Sequence, residues 1–477
     1  MPRIVIGVDS STQSTKALAV DADTGAVLGE GRAGHTVEGT AGARESDPRQ
    51  WWHALQEAVA ATGHADRAEA LAIGGQQHGL VALDAAGEPV HPALLWNDTR
   101  SAAQAARLVA ELGAAEWARR TGSVPGASFT VTKWAWLAEQ GLAGRTAAVR
   151  LPHEYLTERL TGRPSAERSD ASGTGWWGER GWDAGILDLV GLDPALLPPL
   201  AEPGTAAGEV AAGVAGLRPG TPVALGAGDN AAAALGLGLG GGPGAAYGRP
   251  ALSLGTSGTV YAVTRGRPAD PSGTVAGFAA AHGDWLPLAC TLNCTLAVDR
   301  IATLLGLDRQ AVEAGGEAVV LPFLDGERTP ALPHAAGLLH GLRHTTTPGQ
   351  LLQAAYDGAA YALLGALDEV LAAGGEQGAE QPLLLIGGGA RGRAWQDTVR
   401  RLSGRAVQVP AAAELVALGA AAQAAGLLTG EHPAAVARRW DTAAGPVLEP
   451  VERDDAALQR IGAVLAAARP LLEGGTG

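Results

Sequence analysis

Cysteine is nearly missing from this chain: 477 residues include two, Cys290 and Cys294. No His or Cys cluster accompanies their Cys-x-x-x-Cys spacing, so a disulfide framework and a zinc site are both unexpected. Buried thiols in a reduced, cytoplasmic setting are the expectation. Lysine is as scarce. Of 35 lysines plus arginines only Lys16 and Lys133 are lysines, and they follow Thr15 and Thr132. The Gly-Lys-[Ser/Thr] of a Walker-A phosphate loop is therefore absent. Long apolar runs are missing too. The longest charge-free stretch, residues 231–248, is dense in glycine and poor in the Leu, Ile, Val and Phe of a membrane helix. The chain enters a strand at Ile4 without a basic region and apolar core, which argues against a signal peptide. Positive charge is in deficit: the net charge of −14 excludes a broad surface for nucleic acid or anionic membrane. A phosphate ligand would have to be met by local donors.

What the chain does have is a pattern used twice. Ile4-Val5-Ile6-Gly7-Val8-Asp9-Ser10-Ser11-Thr12-Gln13-Ser14-Thr15-Lys16 runs as an apolar strand, a turn of small hydroxyl residues and a second strand. Ala251-Leu252-Ser253-Leu254-Gly255-Thr256-Ser257-Gly258-Thr259-Val260 repeats it, with Thr256 in the place of Thr12. Small turn residues let backbone N–H groups and hydroxyls approach an anion closely. One hairpin per half suggests two related domains gripping one polyphosphate.

The surrounding pattern alternates strands and helices, which predicts an α/β protein. Residues 26–31 read as a third antiparallel strand. A helix follows with Asp47 as N-cap, Pro48 at its first position and Gly63 just past its end. A buried strand over 70–73 runs into Gly74-Gly75-Gln76-Gln77-His78-Gly79. Helical periodicity covers 99–112 and 130–139. The second half repeats the plan with a long helix over 348–373, a strand over 382–386 ending in Gly387-Gly388-Gly389, a helix near 393–402 and a strand at 407–409. The boundary is expected near Gly240. Gly236-Leu237-Gly238-Leu239-Gly240-Gly241 there fits the dinucleotide fingerprint, yet no acidic residue occurs between Asp229 and Asp270, where the ribose partner would stand.

Several groups of residues could carry chemistry. Asp229, framed by glycines after the strand 222–225, could take a proton from a substrate hydroxyl, or simply cap the alanine helix that follows. Asn230, Gln77 and His78 offer the mixed donors and acceptors that polyols require. Leu95-Trp96-Asn97-Asp98-Thr99-Arg100 joins an aromatic face to polar groups, although Asp98 or Thr99 would cap the next helix equally well. Asp9 faces the first turn, where a carboxylate could hold magnesium through water or close an Asx-turn. Gly387-Gly388-Gly389-Ala390-Arg391 would let a planar base or ribose lie on bare backbone.

Taken together, the two hairpins, Gly228-Asp229-Asn230, Asp325-Gly326-Glu327-Arg328-Thr329-Pro330 and Ile386-Gly387-Gly388-Gly389-Ala390-Arg391 resemble the FGGY carbohydrate kinases, in that family's order. Gly75-Gln76-Gln77-His78-Gly79, Leu95-Trp96-Asn97-Asp98 and Ser169-Asp170-Ala171-Ser172-Gly173-Thr174 are most similar to its xylulose-phosphorylating branch. The resemblance implies two ribonuclease-H-like, actin-like ATPase domains with a cleft between them: 1–240 on the sugar side and 241–477 on the ATP side. It implies Asp229 as catalytic base and Asp9 as a second essential acid, both next to magnesium. Gln77, His78, Trp96 and Asn230 would contact the sugar. Thr12, Lys16, Gly255 and Thr256 would hold phosphates, and Gly388 and Gly389 the adenosine. The expected partners are a ketopentose and magnesium–ATP, with no nucleic acid and no membrane, and a homodimer is compatible with them. Ser11 stands where many relatives have glycine, Gln77 where xylulose kinases commonly have methionine, and His153 where some have lysine. The competing readings are a kinase for glycerol, ribulose, gluconate or a deoxy sugar, an actin-like ATPase without a sugar, and a silent sugar sensor.

Overall fold

Strand β1 (Ile4–Ser10) is buried along its whole length, as expected for an apolar strand at the centre of a sheet. The computed structural model describes residues 2–211, 213–376 and 381–474. They form two compact units, and neither is one stretch of sequence. The first comprises 1–247, 263–286 and 414–443, and the second 248–262, 287–413 and 444–477. The boundary expected at Gly240 thus falls inside the first unit, and two later segments return to it.

In the first unit β1 pairs antiparallel with β2 (Ser14–Asp21), which sets Asp9 opposite Lys16. Strand β3 (Val27–Gly34) continues the antiparallel run. On its other side β1 lies parallel to β4 (Ala68–Gly75). Beyond β4 come β5 (Ala206–Glu209) and β6 (Pro222–Ala224), in the order β5-β6-β4-β1-β2-β3. A short strand, β7 (Ala227–Gly228), also pairs with β4 and places Gly228 beside Gly75. Both strand ends that carry candidate residues, Gln76-Gln77-His78 and Asp229-Asn230, therefore emerge side by side. Helix Pro48–Ala61 starts as its sequence dictates, with Asp47 accepting from the Arg49 N–H. It buries Trp51, Leu55, Ala58 and Val59 in the core that β1 and β4 share. The alanine-rich helix Leu415–Thr429 packs on β1, on β4 and on helix Asp229–Gly236. Its small side chains permit that close approach, which is why a segment so late in the chain belongs to the first unit.

The second unit repeats the plan. Strands β8 (Pro250–Leu254) and β9 (Gly258–Ala262) form the second hairpin. Strand β9 pairs antiparallel with β10 (Trp285–Thr291), whose residues from Pro287 onward lie in this unit. Strand β11 (Leu383–Ile386) runs parallel to β8, as β4 does to β1. Then follow β12 (Val407–Gln408) and β13 (Val447–Leu448). Helix Pro348–Ala373 opens with a capping box between Thr347 and Gln350 and buries Leu352, Ala359, Leu363 and Leu367.

Local polar demands account for the shifted ends. The helix expected over 99–112 starts at Ala102. The Asp98 carboxylate accepts from the Arg44 and Arg100 N–H groups and from the Arg100 guanidinium, so it fixes a loop and caps no helix. The fingerprint at 236–241 follows a helix, not a strand, which removes its structural context.

Candidate active site

Asp229 is the first residue of helix Asp229–Gly236, with Gly228 as N-cap. Its Oδ1 accepts from the Asn230 N–H at 2.7 Å and from Asn230 Nδ2 at 2.9 Å. The second Nδ2 proton goes to Gln77 Oε1 at 3.0 Å. Asn230 thus spends both amide protons on its neighbours, and its Oδ1 and the Asp229 Oδ2 lie outside this chain of bonds. Gly228 is required here: a Cβ would sit 2.7 Å from Gln77 Cγ. Gly228, the N-cap, offers no side chain to cap the helix, and the Asp229 carboxylate takes up the Asn230 N–H of the first turn through Oδ1 alone.

Burial pushes the Asp229 carboxyl up to about 7, and the charge of Asp9 adds to the shift. Asp9, 5% exposed, is raised to about 6, again mainly by burial. Ser11 Oγ donates to Asp9 Oδ1 at 2.6 Å and offsets part of that cost. The side chain that departs from glycine in the first turn is therefore accommodated as a hydrogen-bond donor to this acid. Two buried carboxyl groups are thus raised toward neutrality, and the charge of Asp9 disfavours that of Asp229.

Lys16, across the hairpin from Asp9, forms an ion pair with Glu414 at 2.7 Å. Thr12 Oγ1 accepts from Trp96 Nε1 at 3.1 Å, which ties the half-exposed indole to the first turn. His78 has a φ of +66°, unusual for a residue with a side chain. Its Nδ1–H donates to the Gly173 carbonyl at 2.7 Å, and the rings of Phe129 and Phe278 flank it.

A wholly buried ionisable layer supports these groups. His153 Nδ1 meets Asp170 Oδ2 at 2.7 Å. Burial raises the Asp170 carboxyl well above the usual range, and the His78 backbone N–H opposes that shift. Glu167 accepts from the Ser169 and Asp170 N–H groups, and Ser169 Oγ accepts from the Gly228 N–H. Sequence reasoning left His153, Asp170, Lys133 and Glu414 without roles. For Lys133 one signal was present, its survival in a chain that otherwise uses arginine.

In the second unit the Gly255 carbonyl accepts from Thr295 N–H at 3.1 Å and Thr295 Oγ1 at 2.7 Å. These bonds dock the N-terminal end of helix Thr295–Leu305, the positive end of its dipole, on the second hairpin. Thr256 is exposed at the tip of the turn. After β11, Gly387 turns the chain at φ +82°, where a Cβ would lie 3.0 Å from the Leu254 carbonyl oxygen. Gly388–Arg391 then forms one short helical turn, and a Cβ on Gly388 would meet open space. Gly388 lines a recess of about 1210 Å³ together with Gln310, Arg391 and Arg393.

Models of the FGGY family of carbohydrate kinases match this chain, the N-terminal domain over residues 4–236 and the C-terminal domain over 251–427. The chain belongs to that family. A xylulose kinase of Streptomyces rubiginosus is 68% identical over 99% of this chain and 98% of its own length. One from Streptomyces coelicolor is also 68% identical, over 98% and 97%. Among solved structures, the xylulose kinase of Bifidobacterium adolescentis superposes with a TM-score of 0.83 at 35% identity, covering 98% of this chain and 99% of that one. The expected α/β architecture, actin-like and in two domains, is the architecture of this FGGY kinase.

Magnesium is a frequent companion of ATP, and the residues here suit it. Among the described residues no group of three or more His, Cys, Asp or Glu side chains is arranged to hold a metal ion. Magnesium that arrives on phosphates and keeps most of its water needs only one or two carboxylates. Asp9 and Asp229, the first of which raises the pKa of the second by its charge, offer that number of carboxylates. No helix among the described residues is long and apolar enough to cross a membrane.

Proposed function

We propose that this FGGY kinase transfers the terminal phosphoryl group of ATP to D-xylulose, giving D-xylulose 5-phosphate and ADP. The observation that carries the substrate is the 68% identity, over nearly the whole chain, to two Streptomyces xylulose kinases. Asp229 is the general base. Its carboxyl, raised to about 7, matches a proton acceptor that must work near neutral pH. As the terminal hydroxyl oxygen of the sugar bonds to the γ-phosphorus, its proton passes to Asp229 and the bond from γ-phosphorus to the bridging oxygen breaks. ADP leaves with that electron pair. Such a reaction asks for positioning and electrostatics more than for covalent help from the protein.

Gln77, His78, Trp96 and Asn230 bind the sugar in the first unit. Asn230 orients Asp229 through its two bonds to Oδ1. Thr12 and Lys16 serve the phosphates there, and Lys16 exchanges its Glu414 partner for phosphate oxygens. In the second unit Gly255 and Thr256 hold phosphates, while Gly388 and Gly389 form the adenosine platform. Asp9 and Asp229 hold magnesium, which supplies charge neutralisation on the phosphates when bound. The test is ADP release with magnesium–ATP over a panel of ketoses and polyols. Release is expected with D-xylulose well above glycerol, ribulose and gluconate. A preference for another acceptor, or release with none, overturns the assignment.

A further inference from the structure

Lys133 is completely buried in helix Thr130–Glu139, a position that normally belongs to an apolar side chain. Its ammonium meets no carboxylate at ion-pair distance among the described residues. It donates to two backbone carbonyls instead, those of Ser128 and, at 3.0 Å, His78. Burial pulls its pKa down to about 7, with the charge of Asp98 opposing the shift. Burying an ammonium is costly, and methionine or leucine would fill the same space without that cost. Arginine does nearly all other cationic work in this chain. The compact tip of lysine, with three rotatable donors, can serve two carbonyls in a confined space where a planar guanidinium could not.

The second carbonyl is what gives the position meaning. His78 sits at φ +66°, a conformation that a residue with a side chain holds only when its surroundings enforce it. Its backbone is held on both sides of the Cα. The carbonyl receives Lys133 Nζ and, at 3.3 Å, Thr130 Oγ1. The N–H faces the Asp170 carboxylate. The Gly173 carbonyl then fixes the ring through Nδ1. Without the ammonium the carbonyl loses its strongest donor, and the strained peptide can relax and carry the ring with it.

We propose that Lys133 is a positioning residue for the sugar, acting by clamping the His78 carbonyl so that the backbone and ring of His78 keep their place at the sugar. This rests on the reading that His78 contacts the sugar. The test compares Lys133→Met, His78→Ala and the double variant for the KM of D-xylulose and of ATP. Lys133→Met is expected to raise the D-xylulose KM by about tenfold or more. The ATP KM should stay within about twofold, and Lys133→Met should add little on top of His78→Ala. An equal rise in both KM values, or multiplying effects in the double variant, overturns the clamp. If His78→Ala leaves the D-xylulose KM unchanged, the reading of His78 falls and the clamp with it. If His78→Ala raises it and Lys133→Met does not, the clamp alone falls. Thr130→Val removes the second donor to the same carbonyl with little change of volume, so it serves if Lys133→Met does not fold. A smaller, sugar-selective rise supports the clamp, and no selective change overturns it. Nitrogen-15 spectra of labelled histidine give an independent readout: loss of the fixed Nδ1–H tautomer of His78 in Lys133→Met is expected, and an unaltered tautomer counts against the proposal.

Discussion

Replacing Asp229, the proposed base, by asparagine should remove turnover and at the same time make the unliganded protein more stable. One carboxyl carries both effects. Burial and the charge of Asp9 raise Asp229 from 3.8 to about 7. A carboxyl whose folded pKa lies above its unfolded value binds more protons when folded. Stability is then highest below the unfolded value and falls as pH rises towards 7. The full shift corresponds to about 4 kcal/mol at pH 8. The side chain keeps a partly open face, so solvent screening reduces the expectation to about 2 kcal/mol. The amide oxygen introduced by Asp229→Asn could still accept both bonds from Asn230, so the substitution removes charge without stranding a donor. At about 2–4 °C per kcal/mol for a domain of 150–250 residues, Tm should rise by several degrees at pH 8. At pH 4 the gain should nearly vanish. Thermal melts at both pH values, without ATP or magnesium, read the stability; ADP release reads the chemistry, where loss of a general base costs on the order of a hundredfold or more. A Tm gain equal at the two pH values would refute the electrostatic argument. Activity within about tenfold of the parent would refute the assignment of the base.

Two further perturbations probe the phosphate and nucleotide sides. Glu414→Gln removes the partner of Lys16 in a pair about one-third exposed. Melts should shift by less than about 1 kcal/mol, and the ATP KM should fall if Lys16 is released to the phosphates; an ATP KM that rises would show that Glu414 positions Lys16. Gly387→Ala places a methyl 3.0 Å from the Leu254 carbonyl oxygen at a φ of +82°. It should cost about 1–3 kcal/mol in a denaturant titration and weaken ATP binding more than sugar binding; a KM effect confined to the sugar would argue against a nucleotide role for this loop.

Much of the frame was legible because it rests on local patterns. Helix Pro48–Ala61 follows from Asp47 and Pro48, and helix Pro348–Ala373 from Thr347, Pro348 and Gln350. Strands β1 and β4 are apolar runs ending in small or polar residues, so their C-terminal ends were readable as places for a ligand. What could not be read depends on residues far apart in sequence. Glu414 reaches Lys16 only because an alanine-rich helix late in the chain folds back onto β1. The same return explains why a boundary set at Gly240 misses two segments of the first unit. Asp98 looked like a cap, and only the fold shows its carboxylate committed to Arg44 and Arg100.

If Asp229 is the base, its surroundings in the first unit explain why such a carboxylate needs neighbours with no chemical part in the reaction. A group that must accept a proton near pH 7 has to be kept from ionising too readily, and burial does that for Asp229. Burial alone would leave its orientation free. Asn230 removes that freedom by donating twice to Oδ1, and Gln77 fixes which way the Asn230 amide faces. The Gln77 side chain therefore bears on the Asp229 carboxylate through Asn230. Gly228 must stay bare for Gln77 to lie across it, and Ser169 holds the Gly228 N–H. The position of one oxygen thus depends on four residues drawn from three separate segments, which is why the Gly-Asp-Asn triplet could suggest a base but not how it is aimed.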